Sequence, residues 1–170
     1  VMALVWVMLC FSAAGEEPLR TMRYTARSAN EAADWQQDLR TQLFGRLHLR
    51  DLAGKSESLP LEAVFGDKEE RTGYVLQELE LRATPGRMFK AMLAKPAHLT
   101  APAPAVVCIH GHGGSRHTPF ICAEKIYQCF GEALARKGYV VISTDVGRHE
   151  AQEPGRTVMG ERLWNLMRCV

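Results

Sequence analysis

A short apolar run that ends in a glycine-rich loop constrains the fold of this chain most. Ala105–Ile109 is continuously apolar, and the loop His110–Gly114, which reads HGHGG, follows it directly. A second apolar run, Tyr139–Thr144, comes later in the chain. Continuous apolar runs of this kind are typical of strands that are covered on both faces. With a helical segment between them, the two runs predict a right-handed β-α-β crossover.

The segment between the two runs carries helix signals at both ends. Thr118-Pro119 suits a helix start and Gly138 suits a helix end. Side chains recur inside the segment at helical spacing: Cys122, Ile126, Cys129, Phe130 and Leu134. Cys122 and Cys129 would lie about 10 Å apart on one helix, at 1.5 Å per residue, which is too far for a mutual disulfide. No cysteine pair has the C-x-x-C spacing of a zinc site.

A β-hairpin is predicted before the crossover. Tyr74–Leu81 alternates between apolar and polar residues, and Met88–Ala94 follows as the partner strand. Thr84-Pro85-Gly86-Arg87 joins them and has the Pro-Gly order of a type II turn. The fold class predicted for the chain is therefore α/β, with a hairpin followed by the β-α-β unit of a mainly parallel sheet.

Two further helices are predicted, one near each end of the chain. Ser28 and Glu31 have capping-box spacing, and residues 29–47 form an amphipathic helix with an apolar stripe. The members of that stripe are Trp35, Leu39, Leu43 and Leu47. Asp51–Pro60 is rich in turn residues and is predicted to be a linker. A last helix is capped by Thr157, and its inward side chains are Val158, Leu163, Trp164 and Met167.

The first residues are typical of a secretory signal peptide whose basic start is missing. Val1–Phe11 is an uncharged apolar run, and Ser12-Ala13-Ala14 supplies the small residues of a cleavage site. We expect a signal peptide at 1–14, a helical segment and linker at 15–60, and the α/β domain at 61–170. We therefore expect a secreted or periplasmic protein without stable membrane insertion. A truncated membrane anchor or a buried element remains an alternative for the apolar run.

Charge excludes one class of partner. The net charge is +2, and basic residues such as Arg46 and Lys68 are scattered among acids rather than gathered in one patch. Nucleic-acid binding therefore has no electrostatic footprint. A chain of 170 residues is long enough for one domain with a sizeable core.

Backbone N–H groups are the chemistry that the loop His110–Gly114 offers. The loop follows the carboxyl end of a predicted parallel strand, where α/β sheets place their active sites. Its glycines allow backbone conformations that are closed to other residues, and they let a substrate approach closely. N–H groups that converge on one point stabilise a developing oxyanion by roughly 3–4 kcal/mol per donor. The loop is therefore predicted to be half of an oxyanion hole.

At this point the sequence resembles a known family. Residues 74–170 resemble the N-terminal part of an α/β-hydrolase of the dienelactone-hydrolase and acetylxylan-esterase-like group. The resemblance depends on the hairpin that ends at Lys95-Pro96, on Pro104–Gly114, and on Gly138–Asp145 with Gly147-Arg148 after it. It implies a partial α/β-hydrolase fold in this region. The helix near Trp35 resembles an extra N-terminal segment that some secreted members carry.

The resemblance also implies a serine hydrolase acting on carboxylic esters, with a triad in the order nucleophile, acid, base. The G-x-S-x-G elbow does not occur in the sequence, so we expect the triad beyond Val170 and expect this chain alone to be inactive. The implied substrate is a small-molecule or carbohydrate ester, acetyl or other acyl, with no cofactor. The oligomeric state is not predicted.

Roles within the loop are implied residue by residue. The backbone N–H groups of His112 and Gly113 are the oxyanion donors. Loop support is assigned to the residues around them, His110, Gly111 and Gly114. Arg148 and His149 are candidates for the rim of the substrate pocket, and a solvated loop at these positions stays open as the alternative.

Other residues of the same region were weighed against these roles. Ser115 lies inside the loop, whereas an elbow serine follows its strand directly, so we exclude it as the nucleophile. Asp145 precedes the expected serine, so chain order favours a carboxylate that accepts backbone N–H groups over a triad acid. His110, His112 and His117 leave open a zinc-dependent hydrolase. A non-catalytic protein with an α/β-hydrolase-like fold also stays open, and a later G-x-S-x-G would discriminate.

Overall fold

The structure is a computed structural model that describes residues 22–123 and 128–170. The predicted signal peptide at 1–14, and Ile126 of the predicted crossover helix, lie outside these ranges. The chain divides into two compact units, one up to Leu39 and the other from Arg40 to Val170. In the described part of the first unit, the Tyr24 and Trp35 rings meet edge to face with centroids 5.0 Å apart.

The predicted N-terminal helix is present as α1, Ala29–Arg46. One contact of the predicted capping box is present, because Ser28 Oγ accepts the backbone N–H of Glu31 at 3.2 Å. The Glu31 carboxylate accepts the backbone N–H of Arg27 at 2.7 Å. The predicted apolar stripe is buried only in part: Leu39 is 37% exposed and Leu43 is 42% exposed, whereas Leu47 is half-buried against the core. The segment after α1, which was predicted to be a linker, places Leu52 in the core at 4% exposure.

In the described part of the chain, five strands form one sheet in the order β1-β2-β3-β5-β4. Their bounds are β1 Val64–Arg71, β2 Tyr74–Thr84, β3 Arg87–Pro96, β4 Ala105–Cys108 and β5 Val140–Thr144. The β4–β5 pair is parallel, and β1, β2, β3 and β5 pair antiparallel. The prediction of a mainly parallel sheet is therefore not confirmed among the described residues.

The hairpin β2–β3 is confirmed, and its strands extend beyond the predicted bounds. Thr84 pairs with Arg87, so Pro85 and Gly86 form the turn. Gly86 is not among the glycines with positive φ, which a type II turn requires at that position. The turn type was therefore wrong, although its position was right.

Strand β1 was not predicted from the sequence. Its side chains are exposed on both faces up to the last residue, so the run Val-Phe-Gly-Asp-Lys-Glu-Glu-Arg shows no alternation of polarity. Backbone pairing with β2 forms this strand. Charged side chains along such an edge also discourage pairing with other chains.

One face of the sheet packs against α3, Val158–Arg168. Successive residues of a strand point to opposite faces, and the odd-numbered residues of β2 and β3 form this core. The cluster consists of Leu49, Leu52, Leu79, Leu81, Ala83, Phe89, Ala91 and Trp164. The predicted cap of α3 is confirmed, since Thr157 Oγ1 accepts the N–H of Gly160 at 2.9 Å. Trp164 is 1% exposed and donates Nε1–H to the Ala83 carbonyl at 2.6 Å.

The other face packs against α2, Phe130–Arg136. This cluster contains Tyr74, Leu76, Met92, Ala94, Cys108, Phe120, Ala135 and Val141. The helix predicted from Thr118 is wrong at its start, because Thr118–Phe120 is a single 3-10 turn, and the described helix α2 begins at Phe130. Cys122 and Cys129 form a disulfide. The prediction against this pairing assumed one continuous helix through both cysteines, and the residue before α2, Cys129, has a φ of +46°.

The two strands of the predicted crossover are confirmed as β4 and β5. Ile109 lies outside β4 and is 53% exposed. Within residues 22–123 and 128–170, no helix has both the length and the apolar content that crossing a membrane requires.

Candidate functional site

The glycine-rich loop lies at the carboxyl end of β4, as predicted. Gly111, His112 and Gly113 are exposed, and Gly113 has a φ of +80°. A Cβ atom on Gly113 would meet no atom within 4 Å. Glycine is needed there for its backbone conformation, since L-residues with side chains rarely adopt positive φ.

Two consecutive backbone donors at the tip of the loop have no acceptor among residues 22–123 and 128–170. The N–H of Gly114 donates to the Gly111 carbonyl at 3.1 Å and closes the turn. Among the described residues, the N–H groups of His112 and Gly113 donate to no acceptor. Exposed adjacent donors of this kind can receive an anion or a polarised carbonyl oxygen.

His110 is buried at the start of the loop, at 3% exposure. Its Nε2 accepts the backbone N–H of Val146 at 3.0 Å. A ring nitrogen that accepts carries no proton, so Nδ1 holds the proton and donates to the Gly111 carbonyl at 2.8 Å. The ring is therefore neutral and ties the loop to the segment after β5.

The hydrogen bonds of His110 remove it as a ligand for the zinc site that was left open as an alternative. A zinc ion needs a free lone pair on each histidine, and the only lone pair of His110 is occupied by the Val146 N–H. Within the described ranges, no three histidine, cysteine, aspartate or glutamate side chains form a group that could hold a metal. His110, His112 and His117 are thus not assembled as a three-histidine site.

Close packing between glycines joins the loop to the segment after β5. A Cβ on Gly114 would lie 2.9 Å from Nδ1 of His110 and 3.1 Å from Oγ1 of Thr118. A Cβ on Gly147 would lie 3.2 Å from the Gly114 carbonyl oxygen. These separations are tight for a real Cβ atom, so side chains at either position would push the loop away.

Asp145 accepts a backbone N–H group, as chain order suggested, and Ser115 also accepts a backbone N–H group. Asp145 Oδ1 accepts the backbone N–H of Arg116 at 2.8 Å, and Oδ2 accepts from the Arg116 guanidinium at 2.8 Å. Ser115 Oγ accepts the backbone N–H of His117 at 3.3 Å. Burial lowers the pKa of His117, and the Arg116 cation lowers it further, so this ring is neutral at pH 7.

An apolar cleft of about 350 Å³ borders the loop. Its lining comes from the end of β4, the loop, the segment after β5 and α3. The lining residues are Ile109, His110, Gly111, His112, Val146, Gly147, His149, Met159, Arg162, Leu163 and Leu166. The rings of His112 and His149 lie edge to face with centroids 5.2 Å apart. His149 therefore lines the cleft beside the loop.

Arg148 faces a different space, a polar cavity of about 210 Å³. Arg162 lines both this cavity and the apolar cleft. Sequence patterns did not identify Arg162 or Met159 as site residues. Their spacing with Leu163 and Leu166 follows one helix face, but nothing local indicates that this face turns toward the loop.

Comparisons with known proteins agree with the fold. A crystal structure from Bacteroides fragilis, of a protein provisionally named an acetyl xylan esterase, matches with a TM-score of 0.60 and 18% identity over 82% of this chain. An acetyl xylan esterase from Paenibacillus sp. R4 matches with a TM-score of 0.48 and 14% identity over 68% of the chain, which is too distant to support an argument.

This chain spans 42% of the length of each of those proteins. No family model and no curated protein matches the sequence. The Bacteroides structure thus shows that this chain has an esterase-like mixed α/β fold.

Proposed function

We propose that this chain forms the oxyanion-binding part of a serine hydrolase that cleaves carboxylic esters. The observation that carries the proposal is the pair of unused N–H groups on His112 and Gly113, at an exposed loop after a parallel strand. The fold shared with the Bacteroides protein supports the same class of enzyme.

In the proposed reaction, the two N–H groups receive the carbonyl oxygen of the ester as it becomes an oxyanion. Each donor is worth roughly 3–4 kcal/mol in the transition state. The buried ring of His110 keeps the loop in place through Val146 and Gly111. Fixed donors stabilise the developing charge without having to reorganise during the reaction.

The catalytic triad is proposed to lie in sequence that follows Val170. A serine would add to the ester carbonyl while a histidine takes its proton, and the alcohol would leave with that proton. Water would then hydrolyse the acyl-enzyme by the same steps. An aspartate would orient the histidine, and no cofactor or metal is required.

The substrate is proposed to be a small-molecule or carbohydrate ester. The apolar cleft beside the loop suits a short acyl group, because its walls include Ile109, Val146 and Leu163. His149, which lines the cleft, is proposed to contact the alcohol part of the ester at the rim. The acetyl xylan esterase description of the Bacteroides protein favours an acetylated carbohydrate.

Export from the cytosol is part of the proposal. Residues 1–14 have the pattern of a signal peptide. The Cys122–Cys129 disulfide supports export, because structural disulfides persist in oxidising compartments.

A glycine substitution in the complete protein tests the function. Gly113→Val should lower kcat for p-nitrophenyl acetate about 100-fold or more with little change in KM, because a β-branched residue would shift the backbone donor. Gly155→Val is the matched control, since Gly155 has a φ of +77° and equally open surroundings away from the loop. Equal kcat values for the two variants would contradict the oxyanion role.

Active-site labelling tests the serine mechanism separately. A fluorophosphonate should label the complete protein once and abolish hydrolysis, while a zinc chelator should leave the activity unchanged. Loss of activity with the chelator, without fluorophosphonate labelling, would instead indicate a metal-dependent enzyme. Absence of both labelling and hydrolysis would indicate a non-catalytic protein.

A further inference from the structure

We infer that Arg116 is a positioning residue. It fixes the position and orientation of the two oxyanion donors, the backbone N–H groups of His112 and Gly113. This inference rests on the proposed function, and it assigns a role to a side chain that does not touch the substrate. Arg116 acts at the far end of the loop, and it acts through the backbone of residues 112–116.

The carboxylate of Asp145 accepts hydrogen bonds from both the backbone and the side chain of Arg116. The backbone N–H donates to Oδ1 and the guanidinium Nη1 donates to Oδ2, both at 2.8 Å. Two contacts to one carboxylate fix the position and the rotation of the residue together. Charge-assisted hydrogen bonds of this kind are among the stronger polar contacts in proteins.

The second branch of the guanidinium ties the loop to β2. Nη2 of Arg116 donates to Oε2 of Glu78 at 3.1 Å, and Lys90 Nζ lies 3.1 Å from Oε1 of the same carboxylate. His117 Nε2 lies 3.9 Å from Glu78 Oε2. Burial opposes the charge on Arg116, but the hydrogen bonds to Glu78 and Asp145 outweigh it and raise its pKa. The cation therefore stays charged.

The near end of the loop is anchored to the same segment after β5. His110 accepts the N–H of Val146, and Gly147 packs against the Gly114 carbonyl. Asp145 holds Arg116, two residues after the loop. Three consecutive residues, 145–147, therefore contact the segment 110–116. His112 and Gly113 lie between these anchors and have no hydrogen-bonded anchor of their own in the described part of the chain.

Release of one anchor should move the donors. A displacement of about 1 Å in a reacting geometry can cost on the order of 100-fold in rate. Lysine at position 116 could keep one carboxylate but not both, because only the guanidinium fork presents donors in two fixed directions. The geometry thus predicts a graded response in kcat from Arg to Lys to Met.

Arg156 provides a matched control for these variants. Its side chain is 14% exposed, against 17% for Arg116, and its guanidinium pairs with Asp51 at 2.6 and 2.7 Å. Loss of either arginine removes one ion-paired, mostly buried cation. Arg116 lies two residues after the loop and is tied to Asp145 and Glu78, whereas Arg156 pairs with Asp51. The two variants therefore separate general destabilisation from positioning of the loop.

The experiment measures kcat, KM and amide hydrogen exchange on the complete protein and its variants. Arg116→Met should lower kcat about tenfold or more with KM nearly unchanged, and it should speed exchange in residues 110–117. Arg116→Lys should recover part of both effects. Arg156→Met should leave kcat and exchange in that loop as in the parent.

Two outcomes would overturn the inference. One is unchanged exchange in residues 110–117 of Arg116→Met, and the other is an equal loss of kcat in Arg116→Met and Arg156→Met. A parent protein without ester hydrolysis would refute the proposed function instead. In that case the exchange measurement alone would still decide whether Arg116 holds the loop.

Discussion

The two faces of the sheet are closed in different ways. The face under α3 is covered by a helix of 11 residues, and Trp164 fills its centre at 1% exposure. The face under α2 has a helix of only 7 residues, and a disulfide joins Cys122 to Cys129 just before it. On this second face, Tyr74 also donates its hydroxyl to Glu132 at 2.9 Å.

The second face also changes character along its strands. Leu76 and Met92 are buried and apolar, whereas Glu78 and Lys90, which lie on the same side by alternation, belong to the charged network around Arg116. Apolar burial stabilises without fixing direction, and hydrogen bonds between charged groups fix geometry. From this difference we expect the α3 face to contribute most to the free energy of unfolding. We expect the polar end of the α2 face to fix the position of the loop.

The largest effect on stability should come from the α3 face. Trp164→Ala should lower the free energy of unfolding by about 3–5 kcal/mol, because a large buried ring and its hydrogen bond to Ala83 are both lost. Urea denaturation followed by circular dichroism measures this. Met159→Ala on the same helix is the control, since Met159 is 58% exposed and should change stability little.

The comparison of the two faces would be reversed if Trp164→Ala lowered the free energy of unfolding by less than removal of the Cys122–Cys129 disulfide does.

The disulfide should contribute the next largest effect. Cys122→Ser with Cys129→Ser should cost roughly 2–3 kcal/mol, as expected for closure of a short loop in the unfolded chain. Thermal unfolding of the oxidised and reduced parent gives the same comparison without mutation. Burial raises the pKa of the Cys108 thiol to about 11, so this thiol should stay unreactive at neutral pH.

Equal unfolding temperatures for the oxidised parent and the double variant would show that the α2 face does not depend on the bond.

The smallest effect should be a pH-dependent one from Glu78. Hydrogen bonds from Arg116 and Lys90 lower the pKa of Glu78 below its ordinary value of 4.5. Its ionised form therefore stabilises the protein above about pH 4.5, and this contribution is lost as the pH falls through the lowered value. Glu78→Gln should cost under about 1 kcal/mol at pH 7, and the difference from the parent should shrink toward pH 3.

Denaturation at a series of pH values measures this difference. Glu57→Gln is the control, because Glu57 is exposed and has no ion pair within the described residues. A difference between parent and Glu78→Gln that stayed constant with pH would exclude the ionised carboxylate as the cause.

Local patterns predicted those elements whose signals are themselves local. The alternation in Tyr74–Leu81 and the Pro85-Gly86 pair gave the hairpin, and Thr157 gave the cap of α3. Strand β1 was missed because exposure on both faces leaves no alternation to read. The crossover helix was predicted to start too early in the chain, because side chains recur at helical spacing from Cys122 to Leu134. That spacing does not reveal the Cys122–Cys129 disulfide, which lies just before the observed start of α2 at Phe130.

The sequence by itself determined the strand–loop order around His110–Gly114, because apolar runs and glycines act on neighbouring residues. It also indicated that Asp145 would accept a backbone N–H. Only the tertiary structure decided that Arg116 and His110 anchor the loop to residues 145–147, and that Arg162 reaches the cleft. Those contacts join segments that are far apart in the chain, and their partners are selected by packing of the sheet and α3 rather than by any local spacing.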